Sequence, residues 1–159
     1  MKPPVDLASK EFLVMTNPER VTSDEAPGHV WLEIVRRPTK ETFAAAFATD
    51  VVLDTSISSQ AIVGPTAIWH FFEASRTMYD TIRFTHETSV GSRTCLEWDG
   101  KFQARDIAGT TIIAFDANGA IKNIQLFHRP YEQVIAYSTE LGRRLKGKID
   151  PSIFPGTVT

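Results

Sequence analysis

A single cysteine in 159 residues rules out an internal disulfide and any cysteine-built metal site. Cys95, between Thr94 and Leu96, reads as a packed thiol in a strand. Long apolar runs are also missing: no stretch approaches the ~20 residues that cross a bilayer, and Met1-Lys2-Pro3-Pro4-Val5-Asp6 lacks the apolar core of a secretion signal. No membrane partner and a cytoplasmic location are therefore expected. Excess positive charge is absent too, with Lys+Arg 17 against Asp+Glu 19 and a formal net charge of −2, so no nucleic-acid partner is expected. No glycine-rich loop joins a strand to a helix, because Gly91, Gly100, Gly109 and Gly119 fall at turns or inside strands. The histidines His29, His70, His86 and His128 show no short ligand spacing. The expectation is a protein without metal or nucleotide cofactor.

What the chain does have is a hydrophobic fraction of 42%, enough for one domain burying roughly 70% of its unfolded surface. Residues 1–27, with Pro3, Pro4, Pro18 and Pro27, read as an N-terminal arm carrying one or two helical turns between residues 7 and 15. Val30, Trp31, Ile34 and Val35 then recur at helical spacing and stop before Pro38. Thr39 is placed to cap a second helix bearing Phe43, Ala46 and Phe47. Strands are predicted over residues 51–57 and 60–63, and Pro65 suits the first turn of a third helix bearing Ile68, Phe71 and Phe72.

Beyond residue 80 the apolar period changes from 3.6 to 2, which predicts four antiparallel strands over 81–90, 93–98, 102–115 and 120–128. Gly91-Ser92, Asp99-Gly100 and Asn118-Gly119 read as the hairpin turns between them. A last helix opens at Pro130, with Val134, Ser138, Leu141 and Leu145 on one face. Helices followed by a long meander imply an α+β fold, a cone-shaped curved antiparallel sheet packed against about three helices, with an extra C-terminal helix. The division reads as arm 1–27, domain 28–130, and C-terminal helix and tail 131–159.

Asp54 stands out, a carboxylate inside the β-branched run Asp50-Val51-Val52-Leu53-Asp54, where burial costs free energy unless proton transfer or pairing offsets it. With Gly64-Pro65-Thr66-Ala67-Ile68 and the hairpin Phe115-Asp116-Ala117-Asn118-Gly119-Ala120-Ile121, the chain resembles the nuclear transport factor 2-like superfamily, in its SnoaL-like and ketosteroid-isomerase-like form, over about residues 28–130. The resemblance implies a cone with a ligand pocket, a general base at Asp54, and dimerisation through the sheet. It also implies two oxyanion donors, but their positions fall on Val30 and near Gly109 to Thr111, which lack the acid, so steroid isomerisation is not expected.

Alternation places Ile124, Leu126 and His128 on one face of the last strand, Gly109 and Thr111 on the strand before it, Leu96 and Trp98 on the next, and Ile82, Phe84 and His86 on the first. The expected pocket holds Asp54 and His128 as acid-base groups, with Trp31, Phe72, His86, Trp98, Arg105 and Thr111 around the substrate. Arg105 would orient a carboxylate or phenolate. The outer residues Ala104, Ala108, Thr110, Ile112 and Ala114 are too apolar for open water, and a second copy of the chain is their expected cover. Three readings follow: a cofactor-free isomerase, cyclase or dehydratase acting on a small apolar cyclic compound, a non-catalytic binder of an apolar ligand, or a dimeric interaction module.

Overall fold

The computed structural model describes residues 26–155, so the expected helical turns of the N-terminal arm lie outside the described residues. Helix α1 (His29–Val35) begins after Gly28, whose φ of 78° lies in the left-handed region. Helix α2 (Lys40–Ala44) is closed by a reciprocal cap: Thr39 Oγ1 accepts the Thr42 amide at 3.1 Å, and the Thr42 hydroxyl oxygen accepts the Thr39 amide at 3.3 Å. Strands β1 (Phe47–Thr55) and β2 (Ile62–Val63) precede helix α3 (Pro65–Ser75), which starts on Pro65. The strands β3 (Thr81–Val90), β4 (Arg93–Phe102), β5 (Arg105–Phe115) and β6 (Ile121–Arg129) follow, then helix α4 (Tyr131–Arg144) and a short 3₁₀ turn over Pro151–Ile153.

The strands form one six-stranded sheet in the order β2-β1-β6-β5-β4-β3. Only β1 against β6 is parallel; the other pairs are antiparallel. The inner face carries Val51, Leu53, Leu96, Trp98, Ile107, Ile113, Ile124 and Leu126, all buried. Against it lie Phe71 and Ile68 of α3 and Tyr137 and Leu141 of α4, each fully buried and each contributing about 1.5–3 kcal/mol through apolar burial. Helix α4 is thus part of the core. At its C-terminal end Glu140 accepts from Arg143 at 2.6 Å and Arg144 at 2.7 Å, and these bonds hold its carboxyl down at about 2.

The structure corrects the β4–β5 hairpin. Asp99-Gly100 lies inside β4, with Gly100 opposite Ile82 on one side and Ile107 on the other. The turn is made by Gln103 and Ala104, both at positive φ (52° and 64°), with the Ala104 amide donating to Asp80 at 2.7 Å. Gly100 is a glycine for a different reason than a turn: a Cβ there would run into the Thr81 carbonyl of β3. Because that obstacle is backbone, Gly100→Ala is expected to part β3 from β4 and destabilise the fold by about 3 kcal/mol or more. Urea unfolding checks this; a loss under 1 kcal/mol would show that β3 shifts freely.

Candidate functional site

Between α1, the end of α3 and the inner face of β3, β4, β5 and β6 lies a cavity of about 140 Å³. Its buried walls are Trp31, Val35, Phe72, Trp98 and Leu126. Trp31 and Phe72 meet edge to face, with centroids 5.3 Å apart. The mouth is formed by Leu32, Arg36, Arg76, Ile82 and Phe84, of which Arg36, Arg76 and Ile82 are exposed. Three hydroxyl-bearing residues, Ser75, Tyr79 and Thr111, complete the lining, and no carboxylate is among the described lining residues.

Trp98 is fixed from two sides. Its indole N–H donates to Thr111 Oγ1 at 3.1 Å, and its ring occupies space beside Gly109, where a Cβ would collide with the indole and with the Phe127 carbonyl. Behind it stands a buried polar cluster. Tyr79 Oη lies 2.8 Å from His128 Nε2, and the Tyr137 hydroxyl lies 2.7 Å from Ser75 Oγ and 3.0 Å from the Ser75 carbonyl, to which it donates. Burial drives His128 down to about 3 and raises both phenols above their ordinary range. His128 Nδ1 has no hydrogen-bond partner among the described residues. A buried bare lone pair costs less than a buried unpaired N–H, which assigns the proton to Nε2. That nitrogen then donates to Tyr79 Oη, and the Tyr79 O–H is left to donate elsewhere.

Of the residues the sequence singled out, the structure brings together Trp31, Phe72, Trp98 and Thr111 in this cavity. His128 stands behind Tyr79, on the inner face but outside the lining. Asp54 is on the other side of the sheet. Val51, Leu53 and Thr55 take the inner face of β1, so Asp54 between them points outward, level with Gln125 of β6. On that side Asn123 Nδ2 donates to its Oδ2 at 3.4 Å. The expectation that Asp54 lies in the pocket is therefore corrected, and the cause is alternation: one residue along a strand is the opposite face.

His86 is corrected by a bulge. The register of β3 slips between Phe84 and His86, so Phe84 pairs inward with Trp98 while His86 pairs with the exposed Glu97. His86 contacts Thr85 Oγ1 at 3.1 Å rather than the cavity. The slip turns Glu87 inward, where its Oε1 accepts the Gly28 amide at 2.8 Å. Glu87 lines a second cavity of about 240 Å³ on the far side of Trp31, with Leu96, Ile113 and Phe115. Arg105 is exposed at the start of β5 and lines neither cavity; its carbonyl accepts from buried Gln133. Arg36 and Arg76 stand at the mouth instead. Sequence reading passed over these two, Tyr79 and Glu87, because they come from helix ends, a loop and a bulge, where no single periodicity marks a face.

Among the described residues no cluster of three metal-ligating side chains occurs, and no helix is long and apolar enough to cross a membrane. No protein-family model matches the sequence, and no curated protein does. Solved structures do match. A steroid delta-isomerase from Pseudomonas aeruginosa superposes with a TM-score of 0.67 at 20% identity, covering 74% of this chain and 88% of that one. An uncharacterized protein with a cystatin-like fold from Silicibacter pomeroyi gives 0.66 at 20% identity, over 73% of this chain and 82% of the other. A member of the SnoaL-like family from Agrobacterium tumefaciens gives 0.50 at 18% identity, over 65% and 94%. With six strands in one curved sheet and helices closing its inner face, the chain has the nuclear transport factor 2-like fold that SnoaL-like and ketosteroid-isomerase-like proteins share.

Proposed function

We propose that this protein binds a small apolar molecule, of about one ring, in the cavity between Trp31, Phe72 and Trp98. The observation that carries the reading is the lining: aromatic and aliphatic walls, with hydroxyls of Ser75, Tyr79 and Thr111 to orient one polar atom. A cavity of about 140 Å³ is close to the roughly 150 Å³ of an engineered apolar cavity that takes up benzene. The lining also speaks against acid-base chemistry there. Tyr79 in the lining and His128 behind it are both held neutral by burial, leaving a weak acid beside a weak base at pH 7.

Trp31 and Trp98 are built-in reporters. Titration with neutral single-ring compounds such as toluene or benzaldehyde is expected to change their fluorescence saturably, with the compound recovered unchanged by chromatography and mass spectrometry. Asp54→Asn, on the outer face, is expected to leave the affinity within about twofold. Absence of any saturable signal sinks the binding reading, and a tenfold loss in Asp54→Asn would restore that carboxylate to the site. An enzymatic reading has one observation in its favour, the carboxylate of Glu87 in the neighbouring cavity. It requires conversion of a ring compound that disappears in Glu87→Gln and persists in Asp54→Asn.

A further inference from the structure

We infer that the ligand is a single-ring carboxylic acid, with its ring in the aromatic cavity and its carboxylate between Arg36 and Arg76 at the mouth. The inference rests on the binding role proposed above and names the chemistry of the ligand. Both arginines line the cavity and both are exposed, so a polar group on the ligand would meet two guanidinium ions at the point where it leaves the apolar walls. A planar fork of donors matches a carboxylate, in one or both of its hydrogen-bonding modes.

The two arginines are not equivalent. Arg76 Nη1 donates to the Val35 carbonyl at 3.0 Å, which ties the end of α3 to the last turn of α1 and fixes that guanidinium at the rim. One donor of five is used; the rest are available. Arg36 has no side-chain hydrogen bond or ion pair among the described residues, and Glu33, one turn earlier on the same helix, does not reach it within salt-bridge distance. Both residues sit at helix C-caps, where the backbone carbonyls repel an anion. A carboxylate is accepted there only through the guanidinium charge, so the preference for an acid must depend on these two side chains.

The probe pair is benzoate and benzamide, equal in ring and nearly equal in shape, titrated against the Trp31 and Trp98 fluorescence. Benzoate is expected to bind about tenfold to a hundredfold more tightly, the range for a hydrogen bond to a charged group. The ratio is expected to shrink in 1 M salt, where the screening length falls to about 3 Å. In Arg36→Gln with Arg76→Gln the ratio is expected to fall to about one, the loss falling mainly on benzoate. Arg36→Gln alone, which removes no contact within the fold, is expected to remove most of the preference. Equal binding of the two probes by the native protein overturns the inference while leaving the apolar-binding role standing. A preference that survives both substitutions overturns it as well, and failure of both probes together with toluene and benzaldehyde removes the role itself.

Discussion

Stability is expected to fall by about 1.4 kcal/mol per pH unit as the pH drops below 6.5, through His128 alone. The sign follows from burial. In the unfolded chain this imidazole takes a proton near 6.5, whereas in the fold it stays neutral down to about 3, because it is enclosed by Tyr79, Tyr137 and Trp98, with no carboxylate of the described residues against it. Between those values the unfolded state binds a proton that the folded state refuses. The cumulative loss by pH 3 is on the order of 4 kcal/mol, a large share of the 5–15 kcal/mol typical of a domain. His70, lowered by its own burial and by Lys40 and Lys148, adds in the same direction. Glu140 adds last: its stabilisation is present above the ordinary carboxylate pKa of about 4.5 and is lost as pH falls towards about 2. Urea titrations at half-unit intervals from pH 7 to pH 4 follow the histidine contributions before that of Glu140 sets in. His128→Gln, whose amide N–H can still donate to Tyr79 Oη, is expected to be weaker at pH 7 but to lose far less on acidification. An unchanged slope in that variant would show that the imidazole is protonated within the fold.

The same imidazole shows where sequence reading reaches and where it stops. Its face was legible because β6 alternates without interruption from Ile124 to His128, and strict alternation transmits the inward side over any number of residues. The helix starts at Thr39 and Pro65 and the turns at Gly91 and Gly119 were legible because each has a local backbone reason. Asp54 was misplaced by one residue because a carboxylate flanked by apolar groups looks the same from sequence whichever face it takes. Only pairing with β6 decides it, and Thr55 opposite Leu126 took the inner place. His86 was lost to a bulge at Thr85 that carries no glycine to announce it, and Gly100 read as a turn because a close approach of β3 and a reversal of the chain both call for a missing side chain. The mouth was illegible for a further reason: Arg36 and Arg76 are forty residues apart in the chain and share one rim only because α1 and α3 end there.

The cavity wall offers the sharpest joint test of fold and function, because one side chain serves both. Trp98 is 3% exposed, spans from Gly109 to Thr111, and packs on Tyr79 at 5.6 Å and on His128 at 5.1 Å between ring centroids. Trp98→Ala is expected to cost about 3–5 kcal/mol, the range for removing a large aromatic from a core, since β4 and β5 are held apart by their ladder and cannot close the space. If the variant remains folded, the vacated indole volume joins a cavity that in the native protein holds about one ring. Size selection should then invert. Naphthoate is expected to bind the variant at least about tenfold more tightly than the native protein, read from Trp31 fluorescence, whereas benzoate loses affinity for want of a wall. The two readouts fail independently: a stability loss without altered size preference would place the ligand elsewhere, and naphthoate binding as tight as benzoate in the native protein would mean that Trp98 does not set the limit. Both effects together would tie the apolar walls to recognition, because the residue that closes the core would also be the one that measures the ligand.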